Sequence, residues 1–237
     1  MNFAKGQYWD KALNFWTGCT KVTQGCEHCW AIAMKNRFPQ LRAGKPYPFC
    51  PTINFLPILE NIFCGALKLR KDPTVYALQW LGDLWHPEIS PYVRSKILDF
   101  IASYPQHTFL ALTKRPQYVD SRELPMNLFM GTSVENEDNF KRIIDLRERV
   151  EEQIWISFEP LLSSVKRHLI EILEICNQVI VGGERGAGAR PMNPNWVREI
   201  RDYCKDFDIP FFLKYMNKKD GRILDGRTHD DLIWMKI

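Results

Sequence analysis

Short apolar runs recur along the chain, at Leu13–Thr17, Thr74–Leu81, Thr108–Leu112, Asn127–Ser133, Gln153–Phe158, Gln178–Val181 and Pro210–Leu213. Most are continuous rather than alternating, the pattern of strands buried on both faces. Between them apolar positions return at helical spacing. Val93, Ile97, Leu98 and Ile101 share one helical face, as do Phe140, Ile143, Ile144 and Leu146. Val165, Leu169, Ile172 and Leu173 repeat the pattern, and so do Trp196, Val197, Ile200 and Cys204. Ser90 before Pro91 and Asn193 before Pro194 read as a helix cap followed by a first-turn proline. The alternation of strand and helix predicts an α/β fold with a parallel sheet, open or closed.

One segment breaks the rhythm. Pro39–Pro57 holds five of the fifteen prolines and reads as an irregular excursion, anchored by Tyr47, Phe49, Ile53 and Phe55. A short helix near Ile58–Leu67 follows it. No shift in composition marks a boundary, so the chain is expected to form a single domain over 1–237. Within it, 13–38 would be a cysteine loop with the first helix, and 39–73 the excursion.

With 45% apolar and 25% charged residues, the composition is that of an ordinary soluble globular protein. The longest stretch without Lys, Arg, Asp or Glu has 14 residues, too short for a membrane span of about 18. Met1–Gly6 carries no apolar signal-peptide core. These features predict a cytoplasmic protein with no membrane partner. The net charge of +4 is unevenly spread. Residues 1–50 hold seven bases, Lys35 and Arg37 among them, against two acids, while the remainder is close to neutral. That excess is a solvated surface or a patch facing nucleic acid.

Seven cysteines without a secretion signal argue for free thiols in a reducing compartment. Cys64, Cys176 and Cys204 lie in apolar stretches and are expected to be buried core thiols. Cys19, Cys26 and Cys29 differ. They form C-x6-C-x2-C in a polar loop just after the first strand, with Gly18 and Gly25 giving the backbone its freedom. Three thiolates in such a loop can hold three irons of a 4Fe–4S cluster and leave the fourth open to a small molecule. Zinc is the competing metal. It usually takes four ligands in two pairs, and here Cys50 or His28 would have to complete the set. His86-Pro87-Glu88 matches the H-x-E of zinc deaminases, but the C-x-x-C that must follow it lies upstream instead, which excludes that class.

Polar residues end each expected strand: Thr17-Gly18-Cys19, Gly82-Asp83, Thr113-Lys114-Arg115, Ser133-Val134-Glu135, Ser157-Phe158-Glu159, Gly183-Glu184-Arg185 and Lys214. In parallel α/β folds ligands bind at these carboxyl ends, so the set predicts one composite site. Gly182–Gly188 lacks the spacing of a P-loop or a dinucleotide fingerprint. It reads as a strand-to-helix loop, or as backbone that must approach a ligand closely.

A cysteine loop after the first strand of a parallel α/β barrel resembles the radical S-adenosylmethionine (SAM) superfamily. The usual spacing there is C-x3-C-x2-C, with an aromatic residue before the third cysteine where this chain has His28. The longer loop is similar to that of a phage-associated three-cysteine family. The similar stretches are Thr17–Val22 with Gly25-Cys26, Gly82–Pro87, Leu112–Pro116, Gly131–Asn136, Phe158–Leu162, Val181–Glu184 and Pro210–Lys214.

The resemblance implies a partial or closed (β/α) barrel in which Cys19, Cys26 and Cys29 ligate a 4Fe–4S cluster and SAM chelates the open iron. Gly82 and Asp83 match the position that takes the SAM amino group. Lys114 or Arg115 would pair with its carboxylate, and Ser133, Glu135, Ser157 and Glu159 are candidates for its ribose. An external electron donor would drive cleavage of SAM to methionine and a 5′-deoxyadenosyl radical. Phage enzymes of this kind imply a substrate in DNA carrying a modified thymine, and an isomerisation of its amino-acid group from a nitrogen to a carbon linkage. Lys35 and Arg37 would then meet phosphate, and Glu184, Arg185, Arg190 and Lys214 the amino-acid substituent. Tyr8, Trp9 and Trp30 are compatible with a base-flipping enzyme, or with core positions. Two other classes remain: a zinc-containing nucleic-acid-binding module, and a radical SAM enzyme acting on a peptide.

Overall fold

A computed structural model describes residues 1–38, 45–47, 50–120, 124–170, 175–186 and 188–236, with the backbone alone at 35–36, 45–47 and 50–52. The chain divides into two compact units, Trp9–Phe129 and Met1–Tyr8 with Met130–Ile237.

In the unit Trp9–Phe129, β1 (Lys11–Leu13), β5 (Val75–Leu78) and β6 (Thr108–Thr113) pair in parallel, with Leu13 opposite Leu78 and Val75 opposite Thr108. The expected first strand, Leu13–Thr17, is in fact broken in two. Its second half, β2 (Trp16–Thr17), pairs antiparallel with β4 (Cys50–Phe55), and β3 (Lys45–Tyr47) completes a three-stranded sheet. The break has an identifiable cause. The Gln79 side chain accepts hydrogen bonds from Phe15 N at 2.7 Å and Trp16 N at 3.2 Å, and donates to Trp16 O at 2.9 Å. One amide thus satisfies backbone groups that a continued ladder would have used. The excursion is therefore sheet and not irregular over its described part; residues 39–44 and 48–49 lie outside the described residues.

Among the described residues of this unit are the helices α1 (Trp30–Arg37), α2 (Pro57–Phe63) and α3 (Pro91–Ala102). In α3 Ser90 Oγ accepts from Tyr92 N at 3.2 Å, and Val93, Ile97, Leu98 and Ile101 are its buried face, as their spacing predicts.

Strand β7 (Leu128–Ser133) begins in this unit, where Phe109 N donates to Asn127 O at 2.8 Å. From Met130 it pairs with β8 (Ile154–Phe158), which is followed by β9 (Gln178–Gly182) and β10 (Phe211–Tyr215), all parallel. The hydrogen-bonded order is β1-β5-β6-β7-β8-β9-β10. Among the described strands β1 and β10 end that order, and the chain is of the α/β class with parallel strands that the sequence predicts. Every residue of β7, β8 and β9 is buried, which explains why these runs do not alternate. Gly131 faces the Trp155 ring so closely that a Cβ there would come within 2.3 Å of it.

Helices α4 (Lys141–Arg147) and α5 (Pro194–Asp206) follow β7 and β9 in sequence, and Asn193 caps α5 through Asn195 N at 2.9 Å. The helix expected at Val165–Leu173 starts as a tight turn at Lys166–His168; residues 171–174 lie outside the described residues. No described helix is long and apolar enough to cross a membrane.

Cys176 and Cys204 are buried as expected, but Cys64 is exposed just beyond the end of α2. The predicted helix ran on to Leu67, whereas α2 ends at Phe63 and leaves the thiol in solvent. Burial pushes the Cys176 thiol up to about 12, and raises Cys204 with help from Cys176. A maleimide added to the native protein at pH 8 should therefore label Cys64 and leave Cys176 and Cys204 untouched until denaturant is added. Peptide mapping that finds all three labelled at similar rates would contradict this packing.

Candidate active site

The cysteine loop leaves β2 through Gly18, whose φ of +103° is accessible to glycine at little cost. Gly18 N donates to Leu81 O at 3.0 Å, which ties the loop to the segment after β5. Gly82 lies in that same crossing. A Cβ there would meet Gly18 O at 2.8 Å and Trp16 Nε1 at 2.9 Å, so two backbones pass where only glycine fits. A tight turn at Gln24–Cys26 follows, and Cys29 immediately precedes α1. Cys19, Cys26 and Cys29 are free thiols; Cys26 is buried and the other two are half-buried. Three thiols in one loop suit the thiolate ligation of an iron–sulfur cluster. Among the described residues no three of His, Cys, Asp and Glu form a group that could hold a metal ion as they stand, while the loop carries three thiol donors.

A buried polar network fixes the first cysteine. Arg115 Nη1 donates to Cys19 Sγ at 3.4 Å and to Asp83 Oδ2 at 3.0 Å, while Nη2 donates to Thr20 O and Thr20 Oγ1, both at 2.8 Å. Asp83 Oδ1 accepts from Thr113 Oγ1 at 2.7 Å and Trp85 N at 3.0 Å, and Oδ2 also accepts from Lys114 N at 3.2 Å. Four donors fill the four lone-pair positions of that carboxylate.

His86 completes the network. Glu88 N donates to its Nδ1 at 3.2 Å, so Nε2 carries the proton and donates to Thr20 Oγ1 at 2.9 Å. Burial and then Arg115 hold the imidazole below its ordinary pKa, consistent with that neutral form. Burial and the nearby Asp83 push Cys19 up to about 11, against the pull of Arg115. Of the residues expected to meet SAM directly, Arg115 is engaged with the cysteine loop and Asp83 with Arg115, and Lys114 is the half-buried cation beside them.

The second unit has its own strand-end cluster. Ser157 Oγ donates to Glu159 Oε2 at 3.2 Å, and Lys214 Nζ lies 2.7 Å from Glu159 Oε1. Tyr8 is fully buried beside them; burial and then Glu159 raise its pKa well above the ordinary value. Glu135 is fully buried and paired with Arg142 at 2.9 Å, and Arg142 also donates to Ser133 O at 2.8 Å. Arg190 closes on Glu184 through its backbone N at 2.9 Å, its Nε at 3.0 Å and Nη2. Arg185 stacks on Tyr215 at 4.1 Å and is exposed. Ala187 of the adjoining glycine-rich loop lies outside the described residues.

Of the aromatic candidates, Trp30 is exposed beside Cys29, Trp9 packs on Trp80 at 4.1 Å, and Tyr8 is core. Arg37 is exposed at the end of α1; the Lys35 side chain lies outside the described residues, as does that of Cys50. His28 is exposed. The sequence placed Thr113 among the strand ends and His86 at the mouth of the site or on the cap of the next helix, but it showed neither their hydrogen bonds nor the parts that Thr20 and Arg142 play. Arg142 carried the one available signal, lying seven residues after Glu135 on the helix that follows β7.

Comparison with known proteins bears on both fold and family. The chain matches a solved structure of a spore photoproduct lyase mutant, with one cysteine replaced by alanine, at a TM-score of 0.55 and 12% identity, over 87% of this chain and 76% of that one. It matches "Spore photoproduct lyase complexed with dinucleoside spore photoproduct" with a TM-score of 0.54. A third structure, a double mutant of the same lyase "with bound AdoMet and dinucleoside spore photoproduct", gives 0.52; identity and coverage are the same for both. At this identity the likeness shows the fold. No curated protein matches the sequence. A family model described as "Protein of unknown function (DUF5131)" matches residues 4–233.

Proposed function

We propose that this chain, which belongs to the DUF5131 family, is a radical SAM iron–sulfur enzyme acting on a modified base in DNA. The observation that carries the reading is the loop of three free thiols, C-x6-C-x2-C, whose first cysteine is held by Arg115 just beyond the carboxyl end of the parallel strand β6. The fold is one in which a solved structure holds AdoMet and a dinucleoside photoproduct. Cys19, Cys26 and Cys29 would ligate a 4Fe–4S cluster. Bound there, cluster and SAM together supply one-electron chemistry, the reductive cleavage of SAM and abstraction of a substrate hydrogen.

The chain's own residues do the rest. Of the two candidates for the SAM carboxylate, Lys114 or Arg115, we favour Lys114, since Arg115 is committed to Asp83 and Thr20. Gly82 holds the backbone crossing beside the loop, and Asp83 orders the donors around it. Ser133, Ser157 and Glu159 are the candidates for the ribose. The finer reading is isomerisation of an amino-acid group on the methyl carbon of thymine, which is what the resemblance to a phage-associated three-cysteine family implies. Arg185, exposed at the end of β9, would then hold the substituent's carboxylate, with Lys214, Arg190 and Glu184 adjusting around it.

Anaerobic reconstitution should give about four irons per chain, and a strong reductant should then release 5′-deoxyadenosine and methionine. Stoichiometric zinc on the three cysteines would overturn the reading. The DNA assignment has its own test. A thymine must leave the duplex to reach such a site, at a cost of a few kcal/mol, and phosphate contacts must offset it. Binding to modified duplex should weaken steeply with salt. Neutralising Lys35 and Arg37 should flatten the log–log salt slope by about 1.8, the value for two lost phosphate contacts. Turnover on a free nucleoside or a peptide, with no DNA binding, would leave the radical SAM chemistry and remove DNA as substrate.

A further inference from the structure

We propose that Arg115 is a positioning residue that sets how readily the cysteine-held cluster accepts an electron, with Asp83 as its counterweight. The proposal rests on the reading of Cys19, Cys26 and Cys29 as cluster ligands.

The geometry separates Arg115 from a substrate-binding arginine. Its two terminal nitrogens are spent inside the protein, on Cys19 Sγ, Asp83 Oδ2, Thr20 O and Thr20 Oγ1. Its side chain is only 7% exposed, and that of Asp83 6%, so their charges are weakly screened by solvent. Arg115 N donates to Thr113 Oγ1 at 2.9 Å, and the same hydroxyl donates to Asp83. Backbone and side chain are thus held from both ends, and the guanidinium has little freedom to turn toward a ligand. What it presents to the cysteine loop is a fixed positive charge and an N–H directed at one sulfur.

Hydrogen bonds to sulfur, net charge and burial are the means by which a protein tunes an iron–sulfur potential. A cation and an N–H donor beside a ligand sulfur stabilise the reduced, more negative cluster. A buried carboxylate on the other side of that cation does the reverse. Removing the two partners should therefore shift the potential in opposite directions. A residue pair that merely kept the loop folded would shift it the same way for both.

The test is an EPR-monitored redox titration of the reconstituted full-length protein, without SAM or substrate. Arg115→Gln should make reduction at least tenfold less favourable at equilibrium, about 59 mV for one electron. Asp83→Asn should move the midpoint upward, and Arg115→Lys, which keeps the charge, should recover most of the loss. If Arg115→Gln fails to fold, the direction of the Asp83→Asn shift decides by itself. A wild-type protein that assembles no reducible cluster overturns the reading of the cysteine loop. A wild-type cluster with an unchanged midpoint in Arg115→Gln, or with Asp83→Asn moving downward, overturns the present proposal and leaves that reading intact.

Discussion

Replacing any one of Cys19, Cys26 or Cys29 by Ala should take the iron content of anaerobically reconstituted protein from about four per chain to near zero, and SAM cleavage with it. The expectation rests on ligand number. A cluster held by three protein thiolates has none to spare, and the other described cysteines are elsewhere: Cys64 is exposed after α2, and Cys176 and Cys204 are packed in the second unit. Alanine at those three positions should leave iron and sulfide content unchanged. Retention of full iron by Cys29→Ala would show that the loop does not hold the metal, whatever the activity of the variant.

The second large effect concerns stability. Glu135 is fully buried, and its carboxylate is neutralised by Arg142 at 2.9 Å. Arg142→Ala would remove the cation that faces this buried carboxylate and also the donor to Ser133 O. Breaking a buried pair from one side costs about 3–5 kcal/mol, against a total of roughly 5–15 kcal/mol for a domain. Urea denaturation should show the loss directly. The double variant Glu135→Gln/Arg142→Met should recover much of it, because both buried charges are removed together. A loss below about 1 kcal/mol in Arg142→Ala would mean that water reaches Glu135. The pairing also says what Glu135 does at the end of β7: it ties that strand to α4.

The strands were legible because most of them are buried on both faces, and continuous runs such as Gln178–Val181 have few other readings. The helix caps at Ser90 and Asn193 were legible because the cap and the proline after it act locally. What escaped was non-local. Nothing near Leu13–Thr17 announces that Gln79, more than sixty residues on, will take over its backbone hydrogen bonds. The same holds for the cysteine loop. Its spacing pointed to ligands, but spacing could not show that the buried Asp83 and Arg115, at neighbouring strand ends, pair with each other. Proline content misled in a further way: Pro39–Pro57 was expected to be irregular, yet its described part supplies β3 and β4, where only some residues need backbone donors.

The segment Met1–Tyr8 folds with the distant end of the chain. Phe3 packs edge-on against Phe212 at 5.8 Å, Arg222 donates to Phe3 O, and Trp234 Nε1 donates to Tyr8 O at 3.1 Å. Gly6 lies so close to Lys214 that a Cβ would meet its carbonyl oxygen at 2.2 Å. On the ribosome these eight residues emerge some two hundred positions ahead of their partners. At about 5–20 residues per second they wait roughly 10–40 s for a place to bind. Trp9–Phe129 can form in that interval, with the cysteine loop already made. The unit that holds Tyr8, Glu159 and Lys214 cannot close until synthesis has passed Trp234. Loss of the residues around Trp234 would therefore release the Met1–Tyr8 segment as well, and would burden that unit rather than the one that Tyr8 adjoins in sequence.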